Sequence, residues 1–244
     1  MEDAPLPQLR SAQPYEPRFI DLVLTGLLAL VLFVVPLVIY GVVAGRLPLF
    51  GGATLTQGAV LGAVALEAVA LIGAIHVAIL TRRHIGWRTF GLKPIDRRWT
   101  FGSAAVGLGC VLLLAVAVAG VQYVLGRPVV SPQAGVIAPE GFSWWGLVLM
   151  VPLGGFAVPM AEEMVFRGLL YRWLRVRWGV APSAAVSAVL FGVVHGQLEV
   201  GVGAFVVGIV LALAYERSQS LWPPIIIHAV QNSISIVLMF LTVA

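Results

Sequence analysis

Charge is scarce in this chain. Lysine, arginine, aspartate and glutamate together make up 11% of its 244 residues, where ordinary soluble domains carry roughly 25%. Cysteine is scarcer still: Cys110 stands alone inside an apolar run, which excludes a disulfide framework and a thiolate metal cluster. The apolar runs show no period-2 alternation, which excludes a transmembrane barrel. No long internal repeat occurs, which weakens a transporter built from two inverted halves. What the chain has instead is 60% hydrophobic residues and a mean hydropathy of +0.99. A hydrocarbon core of about 30 Å takes about 20 apolar residues of helix to cross, and several runs of that length occur. The fold class read from this pattern is all-α, a polytopic transmembrane helical bundle.

The candidate spans are 19 to 43, 57 to 80, 100 to 124, 143 to 171, 180 to 196, 200 to 216 and 221 to 242. Pro152, Gly154, Gly155 and Pro159 interrupt the fourth. Proline removes a backbone donor and clashes with the preceding turn, so this span is expected to kink or to divide into two half-helices. Residues 1 to 18, with Pro5, Pro7, Pro14 and Pro17, read as a flexible tail ahead of one integral membrane domain, 19 to 244.

The net charge of +4 does not call for a nucleic-acid partner, because basic residues in such a chain are first of all topology signals. Arg10 and Arg18 precede span one. Arg82, Arg83, Arg88, Lys93, Arg97 and Arg98 lie between spans two and three, Arg172, Arg175 and Arg177 follow span four, and Arg217 follows span six. Only Arg46 and Arg127 fall on the other set of loops. The positive-inside rule then puts the N-terminus in the cytoplasm and the C-terminus outside. The segment 82 to 99 interleaves arginine with Trp87, Phe90 and Trp99 and is expected to lie in the headgroup layer as an anchor.

An ionisable group at the bilayer centre costs roughly 2.5 to 3.5 kcal/mol on insertion scales, so each needs a partner or a task. Glu162, Glu163, Arg167, His195, His228 and Asn232 all fall inside spans four to seven. Glu163 and Arg167 are four apart and share a helix face, whereas Glu162 points about 100° away and is free to face a cavity as a base. A turn at Gly179 to Pro182 would put Glu162 about 17 residues and His195 about 15 residues from that turn, at nearly the same height in antiparallel neighbours. Phe191 and His195 share a face, as do His228 and Asn232. Glu67, His76, His84, Glu199, Gln57, Gln122 and Gln231 lack such a pattern and read as interhelical or loop residues.

In their order on successive helices, Glu162-Glu163-x-x-x-Arg167, Phe191-x-x-x-His195 and His228-x-x-x-Asn232 resemble the three signature motifs of the CPBP family, the CAAX-processing and bacteriocin-processing intramembrane proteases, also called the Abi family. The resemblance is strongest over about residues 140 to 240. The loop 86 to 94, GWRTFGLKP, is similar to a segment that often precedes this core in bacterial members. The resemblance implies an endopeptidase acting on a membrane-associated peptide or protein. In that reading Glu162 with His195 activates water, His228 with Asn232 binds the oxyanion, and Glu163 with Arg167 holds the catalytic helix, with Phe191 in support. It favours a glutamate mechanism without a metal cofactor, the alternative being zinc held by Glu162, His195 and His228. The expected setting is a cell inner membrane. The substrate could be a peptide leader, a C-terminal membrane tail or a CAAX-like tail. The non-enzymatic alternative is a self-immunity or scaffold membrane protein that uses the same cavity for binding.

Overall fold

The structure is a computed structural model that describes residues 15–43 and 56–244. Arg10, Arg46 and most of the segment 1 to 18 lie outside the described residues. The described chain forms helices throughout its regular parts: α1 (Phe19–Val43), α2 (Gln57–Thr81), the short α3 (Trp87–Phe90), α4 (Arg97–Val124), the short α5 (Ala134–Ile137), α6 (Trp144–Trp178), α7 (Val180–Val193), α8 (Leu198–Ser218) and α9 (Trp222–Thr242). Six of these, α1, α2, α4, α6, α8 and α9, are long and apolar enough to cross a membrane. The protein is a multi-pass all-α membrane bundle. The expected fifth span, 180 to 196, is shorter than the others: α7 has 14 residues, and the chain leaves it through Gly196 at φ +71°.

Helix ends are set by side chains that accept the free backbone donors of a first turn. Thr56 caps α2 by accepting from the Ala59 amide at 3.2 Å, Asp96 caps α4 through Trp99 at 2.9 Å, and Ser143 caps α6 through Gly146 at 3.1 Å. At the other end of α6, Gly179 takes φ +77°, a conformation that favours glycine, and turns the chain directly into α7.

The expected break in span four is absent. α6 runs unbroken over 35 residues, because it widens into π-type turns at Leu153–Ala157 and again at Met164–Tyr171. The first follows Pro152 directly, so the disruption expected of proline is taken up by a wider turn within a continuous helix. The helix also continues past 171, where hydropathy falls, because its arginines find partners on α8 and α3. Arg175 pairs with Glu216 at 2.8 Å, Tyr171 donates to the same carboxylate at 2.8 Å, and Arg172 donates to the Phe90 carbonyl at 2.6 Å.

Two other expectations change. Phe90 is no interfacial anchor: it is fully buried, against Gly168 of α6 and in a cluster with Tyr171, Tyr215 and Leu221. Its neighbours Arg88, Arg97 and Arg98 remain exposed. Residues 15–18, placed by sequence in the tail, are docked on the bundle. Tyr15 is buried and donates to Asp21 at 3.2 Å, and Arg172 donates to its carbonyl. Asp21 itself is fully buried at the start of α1 and pairs with Arg82 and, at 2.8 Å, with Arg83. That cluster joins α1 to the arginine-rich end of α2.

In the second half of the chain α4 packs against both α8 and α9, and α7 packs against α8. Glycines permit the closest approaches. A Cβ on Gly107 of α4 would lie 2.8 Å from the Ile227 carbonyl oxygen of α9, and a Cβ on Gly201 would lie 2.8 Å from the Gly192 carbonyl oxygen. Because this contact is with backbone, no rotamer change relieves it. Gly201→Val is expected to cost about 1–3 kcal/mol, seen as a lower thermal midpoint of the detergent-solubilised protein, whereas Gly62→Val, where a Cβ meets open space, leaves the midpoint near that of the parent.

Candidate active site

The polar groups of the second half converge on one cavity of about 680 Å³, lined by Glu162, Phe166, Phe191, His195, His228 and Asn232 together with apolar side chains from α1, α2, α4 and α8. Each reaches it for a local reason. Glu162 lies on the straight α-helical turn of α6 between the two π-type stretches, so the adjacent Glu163 faces the bundle interior while Glu162 faces the cavity. His195 does not ride on a helix face as its spacing suggests. It sits in the turn after α7, where its Nδ1–H donates to the Phe191 carbonyl at 2.7 Å. That contact leaves Nε2 free. His228 and Asn232 share one face of α9, whose first turn carries Pro223 and Pro224, positions where a missing N–H is harmless.

At the centre is a buried charge network. Arg167 Nη1 donates to Glu163 Oε1 at 2.8 Å, and both side chains are 0% exposed. The second guanidinium branch, Nη2, donates to the Gly208 carbonyl of α8 at 3.0 Å. Its flat face lies over the Phe191 ring, 4.7 Å from guanidinium carbon to centroid, a cation–π contact strengthened by the absence of water. His228 Nδ1–H donates to the same Glu163 oxygen at 3.0 Å. The opposite ring nitrogen, Nε2, lies 3.7 Å from Glu162 Oε2. This separation is too long for a hydrogen bond and suited to a shared water.

The distribution of contacts differs from the sequence reading in one respect. Glu163 serves Arg167, as its spacing indicates, but it also fixes the His228 ring, and His228 rather than His195 is the imidazole beside both glutamates. His195 meets the group through Phe191, whose ring stands edge-on to His195 at 4.9 Å and to His228 at 5.6 Å. Asn232 uses one amide donor on the Gly154 carbonyl at 3.3 Å, and Ser233 donates to Gly155 at 3.3 Å. Both carbonyls lie in the first π-type stretch of α6, where the altered ladder leaves acceptors open to a neighbour. Because an amide nitrogen has two donors, Asn232 keeps one for the cavity.

Among the described residues no three His, Cys, Asp or Glu side chains converge as a set that could hold a metal ion. Glu162 and His228 approach each other at 3.7 Å, while His195, held through Nδ1 on the Phe191 carbonyl, keeps Nε2 free.

Sequence reasoning gave no role in this cavity to two polar residues that line it. Glu67 of α2, read there as interhelical, lines it, as does Gln231 beside Asn232. The available signal was a lone carboxylate within span two. It has no partner at helical spacing, and only the packing of α2 against α6 brings it to the site.

Comparison with known proteins finds matches over part of the chain. Residues 144–234 match the family described as Type II CAAX prenyl endopeptidase Rce1-like. Over 90 residues the chain is 27% identical to the Bacillus subtilis (strain 168) protein described as "Putative membrane peptidase YdiL". That aligned stretch covers 37% of this chain and 37% of the relative. No solved structure matches.

The network sets a testable stability order. Removing one partner of a buried pair leaves an uncompensated charge, which costs about 3–5 kcal/mol, whereas a half-exposed pair contributes at most about 1 kcal/mol. Arg167→Leu is therefore expected to lower the thermal midpoint far more than Arg175→Leu, whose pair with Glu216 is 40% and 20% exposed. Melting both variants in the same detergent gives the comparison.

Proposed function

Taking the chain as a multi-pass membrane peptidase of the CPBP type, we propose that it is an endopeptidase that hydrolyses a peptide bond of a membrane-associated substrate inside the cavity, without a metal. The observation that supports this reading most is the pairing of a cavity-facing carboxylate, Glu162, with an imidazole, His228, whose far nitrogen is tied to the buried Glu163–Arg167 pair. A binding protein has no need of a base set opposite ordered donors.

Amide hydrolysis requires a nucleophile from water, donors for the negative oxygen and a proton for the leaving amine. Glu162 takes the proton from water held near its Oε2, and the free Nε2 of His195 accepts a hydrogen bond from the same water. The hydroxide adds to the carbonyl carbon, and the electron pair of the C=O bond moves to oxygen. In the imidazolium form His228 donates from both nitrogens, Nδ1 to Glu163 and Nε2 to the oxyanion, and the unused Asn232 donor completes the pair. Collapse of the tetrahedral intermediate breaks the C–N bond, and Glu162 returns its proton to the departing nitrogen. Arg167 and Phe191 act through others: the first neutralises Glu163, and the second separates and orients the two imidazoles.

The substrate classes that suit this site are peptide leaders, C-terminal membrane tails and CAAX-like tails. The proposed setting is a cell inner membrane, with the arginine-rich loops and the N-terminus cytoplasmic and the C-terminus outside.

Glu162→Gln keeps the shape and removes the base, so cleavage is expected to fall by roughly 10²–10⁴-fold, and Asn232→Ala by roughly 10²–10³-fold. The measurement is a comparison of membrane peptides from cells producing the parent and the Glu162→Gln protein at equal level. Peptides generated only by the parent support hydrolysis. Identical peptide sets would sink it and leave a binding role for the cavity.

A further inference from the structure

α2 contributes Val64, Glu67 and Leu71 to the cavity wall. Their spacing of three and four places them on one helix face, so Glu67 interrupts an apolar stripe that looks into the cavity rather than out to lipid. The same helix packs on the Val158–Glu163 stretch of α6, which puts Glu67 on the wall adjoining Glu162.

The charges around it are already committed. Arg167 is closed between Glu163 and the Gly208 carbonyl, and His228 is tied to Glu163 and faces Glu162. Among the described residues no lysine or arginine lines the cavity. Glu67 is thus a carboxylate whose natural counter-charge is missing from the described protein, in a compartment of low dielectric where an opposite charge is strongly attracted. It comes from a different helix than the water-activating and oxyanion groups, which belong to α6, the turn after α7, and α9.

Resting on the hydrolytic reading of this cavity, we propose that Glu67 is a specificity residue that takes a lysine or arginine side chain of the substrate, fixing which bond of an otherwise apolar segment is presented to Glu162. The apolar neighbours Val64 and Leu71 suit the methylene stem of such a side chain while the carboxylate meets its charged end. An apolar transmembrane segment offers few landmarks along its length, and one cation meeting one carboxylate supplies a register.

The test uses quenched fluorescent peptides of leucine and alanine carrying a single lysine or a single norleucine at each successive position. They are presented in detergent micelles to the full-length protein and to its Glu67→Gln, Glu162→Gln and doubly substituted forms. The expected result is a position at which the parent cleaves the lysine peptide at least about tenfold better than the norleucine peptide in kcat/KM, with the ratio falling toward one in Glu67→Gln. Because the ratio is taken within one protein preparation, it does not depend on how much of the variant is folded. A parent without lysine preference at any position, or a preference unchanged in Glu67→Gln, overturns the proposal. If no peptide is cleaved, the hydrolytic reading fails separately and Glu67 is judged by binding alone. Fluorescence anisotropy on Glu162→Gln must then show tighter binding of a lysine peptide that is lost in the doubly substituted protein, and equal binding of all peptides counts against the proposal.

Discussion

The buried contact between Glu163 and Arg167 is the constraint on which the cavity-forming half of the molecule depends. A carboxylate and a guanidinium with no exposure are tolerable only with partners packed close around them, and the surrounding helices supply several, while Glu163 Oε2 and Arg167 Nε have no hydrogen-bond partner among the described residues. Gly208 of α8 brings its carbonyl to the guanidinium, and a Cβ there would lie 3.1 Å from the Cβ of Ala188 on α7. Phe191 offers its ring face to the same cation, and His228 of α9 completes the carboxylate oxygen. One ion pair therefore recruits α7, α8 and α9 to α6.

The proposed function draws on the same arrangement. His228 is oriented by a group that cannot itself reach the cavity, so its second nitrogen points at Glu162 with little rotational freedom. Orientation achieved before substrate arrives is what makes a donor effective against a developing charge. At the arginine-rich end of the bundle, Asp21 with Arg82 and Arg83 does for α1 and α2 what Glu163 does for α6 to α9. The two ionic clusters anchor different parts of the bundle, and the cavity draws walls from both.

The all-α membrane class, most helix positions and the identity of the central polar residues are legible in the chain, because hydropathy runs and i,i+4 spacing are local properties. Glu163 with Arg167, and His228 with Asn232, are pairs of this kind. Contacts between helices are not local. Spacing gives no sign that His228 bridges both glutamates, since that depends on how α9 is rotated against α6. The place of His195 depends on α7 stopping at Val193, after which the chain turns away through Gly196 at φ +71°. Glu67 is hidden for the same reason: its significance lies in the helix opposite. Proline is legible as a disturbance near 152 to 159, but not as a wider turn in place of a break.

The two widened stretches of α6 have a meaning for its geometry as a ruler. A π-type turn takes up an additional residue without adding a full step to the hydrogen-bond ladder, so each stretch shifts the angular phase of everything that follows it. Glu162 and Glu163 lie between two such shifts. Their bearing is thus fixed independently of the lipid-facing residues near Trp144 and of the arginines near Trp178. The helix works as three segments with separately set bearings, and losing one residue from either widened stretch would turn the glutamate pair relative to one of its flanks while every side chain kept its identity.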